Sequence, residues 1–78
     1  MASPDDLIEQ RAEHYGDPRP NHDRIAGLWS AWLGQTITAH DVAWMMVLVK
    51  ASRSKVDPHH DDNYDDGHGY ISIAKYVR

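Results

Sequence analysis

Residues 59–66 read His-His-Asp-Asp-Asn-Tyr-Asp-Asp, which places four carboxylates and two imidazoles in eight positions. Carboxylates this close repel one another unless a cation, basic side chains or solvent compensates. If the stretch is helical, Asp62 and Asp66 lie one turn apart on one face. Such a pair can share a hard divalent cation, Mg²⁺ or Mn²⁺, which prefers oxygen ligands. His60 would add a nitrogen ligand or act as a base, so Asp62, Asp66 and His60 form the candidate catalytic and metal-binding set. A charge run of this kind is more often a solvated acidic loop. The histidines would also permit Zn²⁺, but their spacing matches no standard zinc motif.

Lys50 follows an apolar run, and Arg53 stands three residues on. A lysine there can snorkel at a helix C-terminus, where cations favour the dipole. Alternatively it contacts a phosphate or carboxylate near Asp62 and Asp66. Glu9 and Glu13 stand four apart with His14 beside them. They are either a second metal-binding pair or part of a solvent face. Asn21 and His22 suit a helix cap or could face a site. Trp29, Trp32, Trp44, Met45 and Met46 read most simply as core or subunit interface. The chain has no phosphate-cradling Gly-rich loop, no cysteine nucleophile and no G-x-S-x-G.

Four segments must position these residues. Residues 3–14 begin with Ser3 as a cap, Pro4, and two acids that suit the positive end of a helix dipole. Leu7, Ile8, Arg11, Ala12 and Tyr15 give that helix a thin apolar stripe, and Gly16 stops it. Residues 17–20, Asp-Pro-Arg-Pro, predict an extended connector, because a residue before proline avoids the helical region. Residues 21–33 are amphipathic, with Ile25, Leu28, Trp29, Trp32 and Leu33 on one face.

A third helix is expected over residues 39–52, opened by a capping box of Thr38 and Asp41. Residues 42–49 are apolar on every side, so most of this helix must be covered. Three neighbours of this size cannot do that alone, which predicts a homo-oligomer. Residues 54–69 read as a polar loop. Residues 70–77 have both helical and β character, and helix is expected. The fold class is therefore all-α: one domain over residues 1–78, a small bundle of about four helices completed by oligomerisation.

Composition narrows the function. At 78 residues and 8.9 kDa the core is small, and such domains often add disulfides, a metal or a partner subunit. With no cysteine, disulfides are excluded, and a reducing compartment fits. Twelve acids against eight bases, net charge −4, disfavour binding to a nucleic-acid backbone. The apolar run at 42–49 is far short of the roughly 20 residues a membrane helix needs, so no membrane partner is expected. The first residues, MASPDDLIEQ, lack the features of a secretory signal.

Several strings carry a resemblance. They are Arg11-Ala12-Glu13-His14-Tyr15-Gly16-Asp17, Asn21-His22, Ile25-Ala26-Gly27-Leu28-Trp29, Asp41-Val42-Ala43-Trp44-Met45-Met46, and the later Lys50, Arg53, His60, Asp62, Asp66 and Gly69-Tyr70. Together they resemble a family of small proteins encoded by phages and prophages, notably of actinobacteria. The resemblance covers about residues 7–74 and implies the cytoplasm of an infected bacterial host.

A more distant similarity is to helical domains associated with nucleotide modification and to MazG-type nucleoside triphosphate pyrophosphohydrolases. Those are oligomeric helical bundles that hold Mg²⁺ at a triphosphate with carboxylates on adjacent helices. The similarity implies Asp62 and Asp66 as metal ligands, with Glu9 and Glu13 completing the site. It also implies a phosphate contact at Lys50, and Arg53 and Tyr70 are further candidate nucleotide contacts. The chain lacks the Glu-Glu-x-x-Glu cluster of those enzymes and has Gly67-His68 where apolar residues are expected. The expected function is a divalent-metal-dependent, pyrophosphohydrolase-like nucleotide domain. The alternative is a non-enzymatic accessory protein that binds a host protein. A DNA-binding regulator ranks last, because residues 42–49 are too apolar for a major groove.

Overall fold

The computed structural model describes residues 16–78, which form α1 (Pro18–Leu33), α2 (Ala39–Val56) and α3 (Asp61–Val77). Every regular element among the described residues is a helix, as the all-α expectation requires. The helix expected over residues 3–14, with Glu9 and Glu13, lies outside the described residues.

Helix α1 begins earlier than expected. Asp17 is its N-cap, extended at φ −66° and ψ 125°, and accepts from the Arg19 backbone N–H at 2.9 Å. The constraint of Pro18 on its predecessor is met at Asp17, and the prolines fall in the first turn, where a missing N–H forfeits no intrahelical bond. The helix ends at Gly34, whose φ of 69° suits glycine, and the Gly34 N–H donates to Ser30 O at 2.9 Å. The Ser30 hydroxyl donates to Ala26 O (2.7 Å) and accepts from the Ile37 N–H (2.8 Å), which fixes the turn into α2.

The buried face of α1 is also not the expected one. His22 and Ala26 are buried, whereas Ile25 and Trp29 are half-buried and Leu28, Trp32 and Leu33 are exposed. Periodicity locates an apolar stripe but does not say which side another helix covers.

Helix α2 starts with the expected capping box. The Asp41 N–H donates to Thr38 Oγ1 (3.0 Å), and the Thr38 N–H donates to Asp41 Oδ2 (2.9 Å). It continues to Val56, four residues beyond the expected end. Val42 and Ala43 are fully buried, while Trp44, Leu48 and Val49 are exposed.

Helix α3 carries the largest departure. Residues 61–69, expected as loop, are the first half of a helix that continues through residues 70–77. Asp61 and Asp62 sit in its first turn, where negative charge meets the positive end of the dipole. The Tyr64 hydroxyl donates to Pro58 O at 2.9 Å and braces the turn before it. Gly67 and Gly69 are weak helix formers, yet both are buried. A Cβ added at Gly67 would meet Lys50 Cβ of α2 at an ordinary 3.8 Å.

The core joins α2 to the second half of α3, through Ala39, Ala43, Ile73, Ala74 and Val77, with Tyr70 against it. The His40 Nδ1–H donates to Ala74 O (2.9 Å), and Trp44 Nε1–H donates to His40 Nε2 (3.1 Å), a pattern that assigns the neutral Nδ1–H tautomer. Helix α1 packs on α2 and is clasped to the end of α3. The Arg19 Nη2 donates to Tyr76 O (2.8 Å), its guanidinium lies 4.9 Å from the Tyr76 ring centre, and the Tyr76 hydroxyl donates to Asp17 Oδ2 (3.2 Å). No helix among the described residues is long and apolar enough to cross a membrane.

Candidate functional site

With α3 helical from Asp61, Asp62 and Asp66 do lie four residues apart on one face. Their surroundings differ. Lys50 Nζ, on α2, stands 3.1 Å from Asp66 Oδ2. Asp62 Oδ2 is 3.7 Å from His60 Nε2, and both side chains are well exposed. Asp61 and Asp65 are exposed. One of the four crowded acids is thus neutralised by a built-in ammonium, and its three neighbours are hydrated.

Two cavities open between α2 and α3. The first is a groove of about 370 Å³, walled by Val47, Lys50, Ala51, Tyr64, Gly67 and Ile71, with Asn63, His68 and Ser54 also at its edge. The second is more polar, bordered by Ser52, Arg53, Val56, Asp57, His60 and Asn63. Asn63 borders both. Arg53 and His60 therefore come together, as do Lys50 and Asp66, on either side of Asn63.

Tyr70 borders neither cavity. It lines a separate pocket at the start of α1 with Asp17, Asn21, His22 and Ile73, where its ring centre is 6.3 Å from that of His22. Among the described residues no three histidine or acidic side chains converge closely enough to hold a metal ion.

Two buried polar side chains stand out, Asn63, which the sequence does not single out, and His22, which it does. Asn63 read as part of an acidic loop, yet it is buried on α3. Its signal was the spacing Asn63, Gly67, Tyr70, which marks one helical face once the segment is taken as helix. His22 read as a cap or site residue. It is buried, and its Nδ1–H donates to Pro18 O at 3.0 Å. Its Nε2 is buried without a partner. Such orphaned atoms are uncommon in folded proteins.

The Asp41 carboxyl lies below its ordinary value, first because the Thr38 backbone N–H donates to it and then through the Thr38 side chain.

Over residues 1–78 the amino-acid sequence matches the family described as a domain of unknown function, DUF6378. The chain belongs to this family. The Gene 55 protein of Mycobacterium phage L5 is 45% identical to this DUF6378 chain over 70 residues, covering 88% of this chain and 45% of its own length. The Gene 55 protein of Mycobacterium phage D29 is 41% identical over 68 residues, covering 87% and 45%. The DUF6378 chain thus spans less than half the length of these curated relatives, and the family includes phage proteins. No solved structure matches the chain.

Proposed function

We propose that this DUF6378 chain is a nucleotide-handling module that holds its ligand between α2 and α3. One observation carries the reading: an apolar groove and a polar cleft meet side by side at Asn63. The groove suits a flat ring, and Arg53 with His60 suits a phosphate. Lys50 contributes charge at the groove edge, although Asp66 already engages its ammonium.

Hydrolysis of a pyrophosphate bond, the further step suggested by the likeness to MazG-type enzymes, would need Mg²⁺ or Mn²⁺. Asp62 and Asp66 are the proposed ligands, with Glu9 and Glu13 and with His60, and the side chains of Asp62, Asp66 and His60 would have to move together to share an ion. Such an ion would polarise a phosphate and activate a water. It would have to compete with Lys50 for Asp66, so the geometry supports binding more directly than catalysis. Isothermal titration with a nucleotide panel, with and without Mg²⁺ or Mn²⁺, tests both levels. Heat that depends on nucleotide alone supports the binding module, and heat that also requires metal and Asp66 supports the hydrolase. No heat under any condition removes the proposal.

A second reading is favoured by the exposed apolar side chains. Trp32 is 88% exposed, Leu48 67% and Val56 87%. Leu28 and Trp32 lie one turn apart on α1, and Trp44 and Leu48 do so on α2. Large apolar side chains exposed at helical spacing on two elements favour association. The proposed occupant is a second copy of the chain, as the expectation of a homo-oligomer requires, and a host protein is the alternative. Light scattering at micromolar concentration should give a mass above 8.9 kDa, and a monomer would refute self-association.

A further inference from the structure

We infer that Asn63 is the specificity-determining residue of the α2–α3 site, and that it reads a nucleobase edge presenting a hydrogen-bond donor beside an acceptor. This rests on the nucleotide reading for the occupant of the groove.

Asn63 is only 6% exposed. Its backbone N–H is used, donating to His60 O at 3.1 Å. Its side-chain amide makes no hydrogen bond to another described residue. Buried polar side chains in folded proteins are nearly always paired. This one borders two cavities through which its amide reaches solvent, so a ligand that enters them would take the place of water at the amide.

An asparagine amide offers an acceptor oxygen and a donor NH₂ side by side. That pattern complements the edge of a nucleobase, where asparagine makes paired bonds. The walls fit the rest of such a ring. Val47, Ala51 and Ile71 are apolar, Tyr64 supplies an aromatic face, and Gly67 leaves open the space a side chain would fill. On the other side of Asn63, Arg53 and His60 lie where a phosphate on the same ligand would reach.

Arg53 and Asn63 therefore have separable roles. A phosphate contact is blind to the base, and an amide contact is not. The test titrates guanosine, adenosine, uridine and cytidine monophosphates into the full chain and into three variants, with far-UV circular dichroism confirming helix content. Arg53→Ala is expected to weaken all four ligands by a similar factor. Asn63→Leu, which fills the site without polar atoms, is expected to weaken the preferred ligand at least tenfold. Asn63→Asp replaces the donor–acceptor pair with acceptors only. It is expected to reorder the panel in favour of guanosine monophosphate, whose N1–H and 2-amino group are adjacent donors.

If the monophosphates bind and neither Asn63 variant changes their order or affinity, the inference is overturned while the nucleotide reading stands. If none binds the unmodified chain, both fall together.

Discussion

Lys50 Nζ lies 3.1 Å from Asp66 Oδ2, and the lysine side chain is the more sheltered partner, 13% exposed against 43%. Helices α2 and α3 are joined at this level by opposite charges. Removing one partner of a sheltered pair harms a fold more than the pair itself stabilises it, because the remaining charge stays behind uncompensated.

Asp66→Asn is therefore expected to destabilise the chain by about 1–2 kcal/mol, between the values for exposed and fully buried pairs. That corresponds to a fall in Tm of roughly 5–15 °C for a domain of this size. Asp62→Asn, on an exposed side chain, should stay within about 0.5 kcal/mol. Equal effects in thermal melts would show that Lys50 does not distinguish the two acids.

Gly67 should reveal a trade between stability and the groove. An added Cβ meets Lys50 Cβ at an ordinary 3.8 Å, so alanine fits without displacement. Gly67→Ala is expected to stabilise the helix by about 0.5–1 kcal/mol. It also narrows the groove, so nucleotide binding should weaken while Tm rises. A rise in Tm with unchanged binding would move the ligand elsewhere.

The Thr38–Asp41 capping box predicts a sign for the effect of acid. The folded Asp41 carboxyl sits below its unfolded value. Its stabilising contribution is complete above the unfolded value and disappears as pH falls through the folded one. Melting temperature should fall on acidification through the carboxylate range. Asp41→Asn, which removes the titrating group, should lower Tm at neutral pH and abolish the part of that acid dependence due to Asp41. An unchanged acid profile in the variant would remove Asp41 as its source.

His40 links three groups in series, from Trp44 Nε1–H through its ring to Ala74 O. Replacing it with leucine leaves Ala74 O without that donor at the α2–α3 contact. His40→Leu should destabilise by about 1–2 kcal/mol, within the range for a hydrogen-bonded group deprived of its partner. It should also change the tryptophan emission, since Trp44 loses its acceptor. Unchanged emission and stability would show that the chain of contacts contributes nothing in solution.

The parts of the fold legible in the sequence were those set by local chemistry. Thr38 and Asp41 announce their own capping box three residues apart, and Gly34 announces a left-handed stop. The first half of α3 was hidden because its helix is stabilised by contacts distant in sequence. Gly67 and Gly69 argue against helix until the packing of α3 on α2 is seen. The buried face of α1 was misread for the same reason: Ile25, Leu28 and Trp32 satisfy the periodicity, but the neighbour sits over His22 and Ala26. Within the candidate site, Asp66 and Lys50 were legible as opposite charges. Asn63 was not, because its spacing with Gly67 and Tyr70 marks a face only once the segment is known to be helical.

The contact of Arg19 and Asp17 with Tyr76 spans nearly the whole described chain, since the partners stand 57 and 59 positions apart. Helices α2 and α3 are joined by a link of only four residues and can pair quickly as a hairpin, whereas this clasp closes a long loop and forms late. Because all three of its contacts lie at the surface, it also opens at little expense. The order of assembly is then hairpin first and α1 last, and backbone amides of α1 should exchange with solvent before those of the hairpin do.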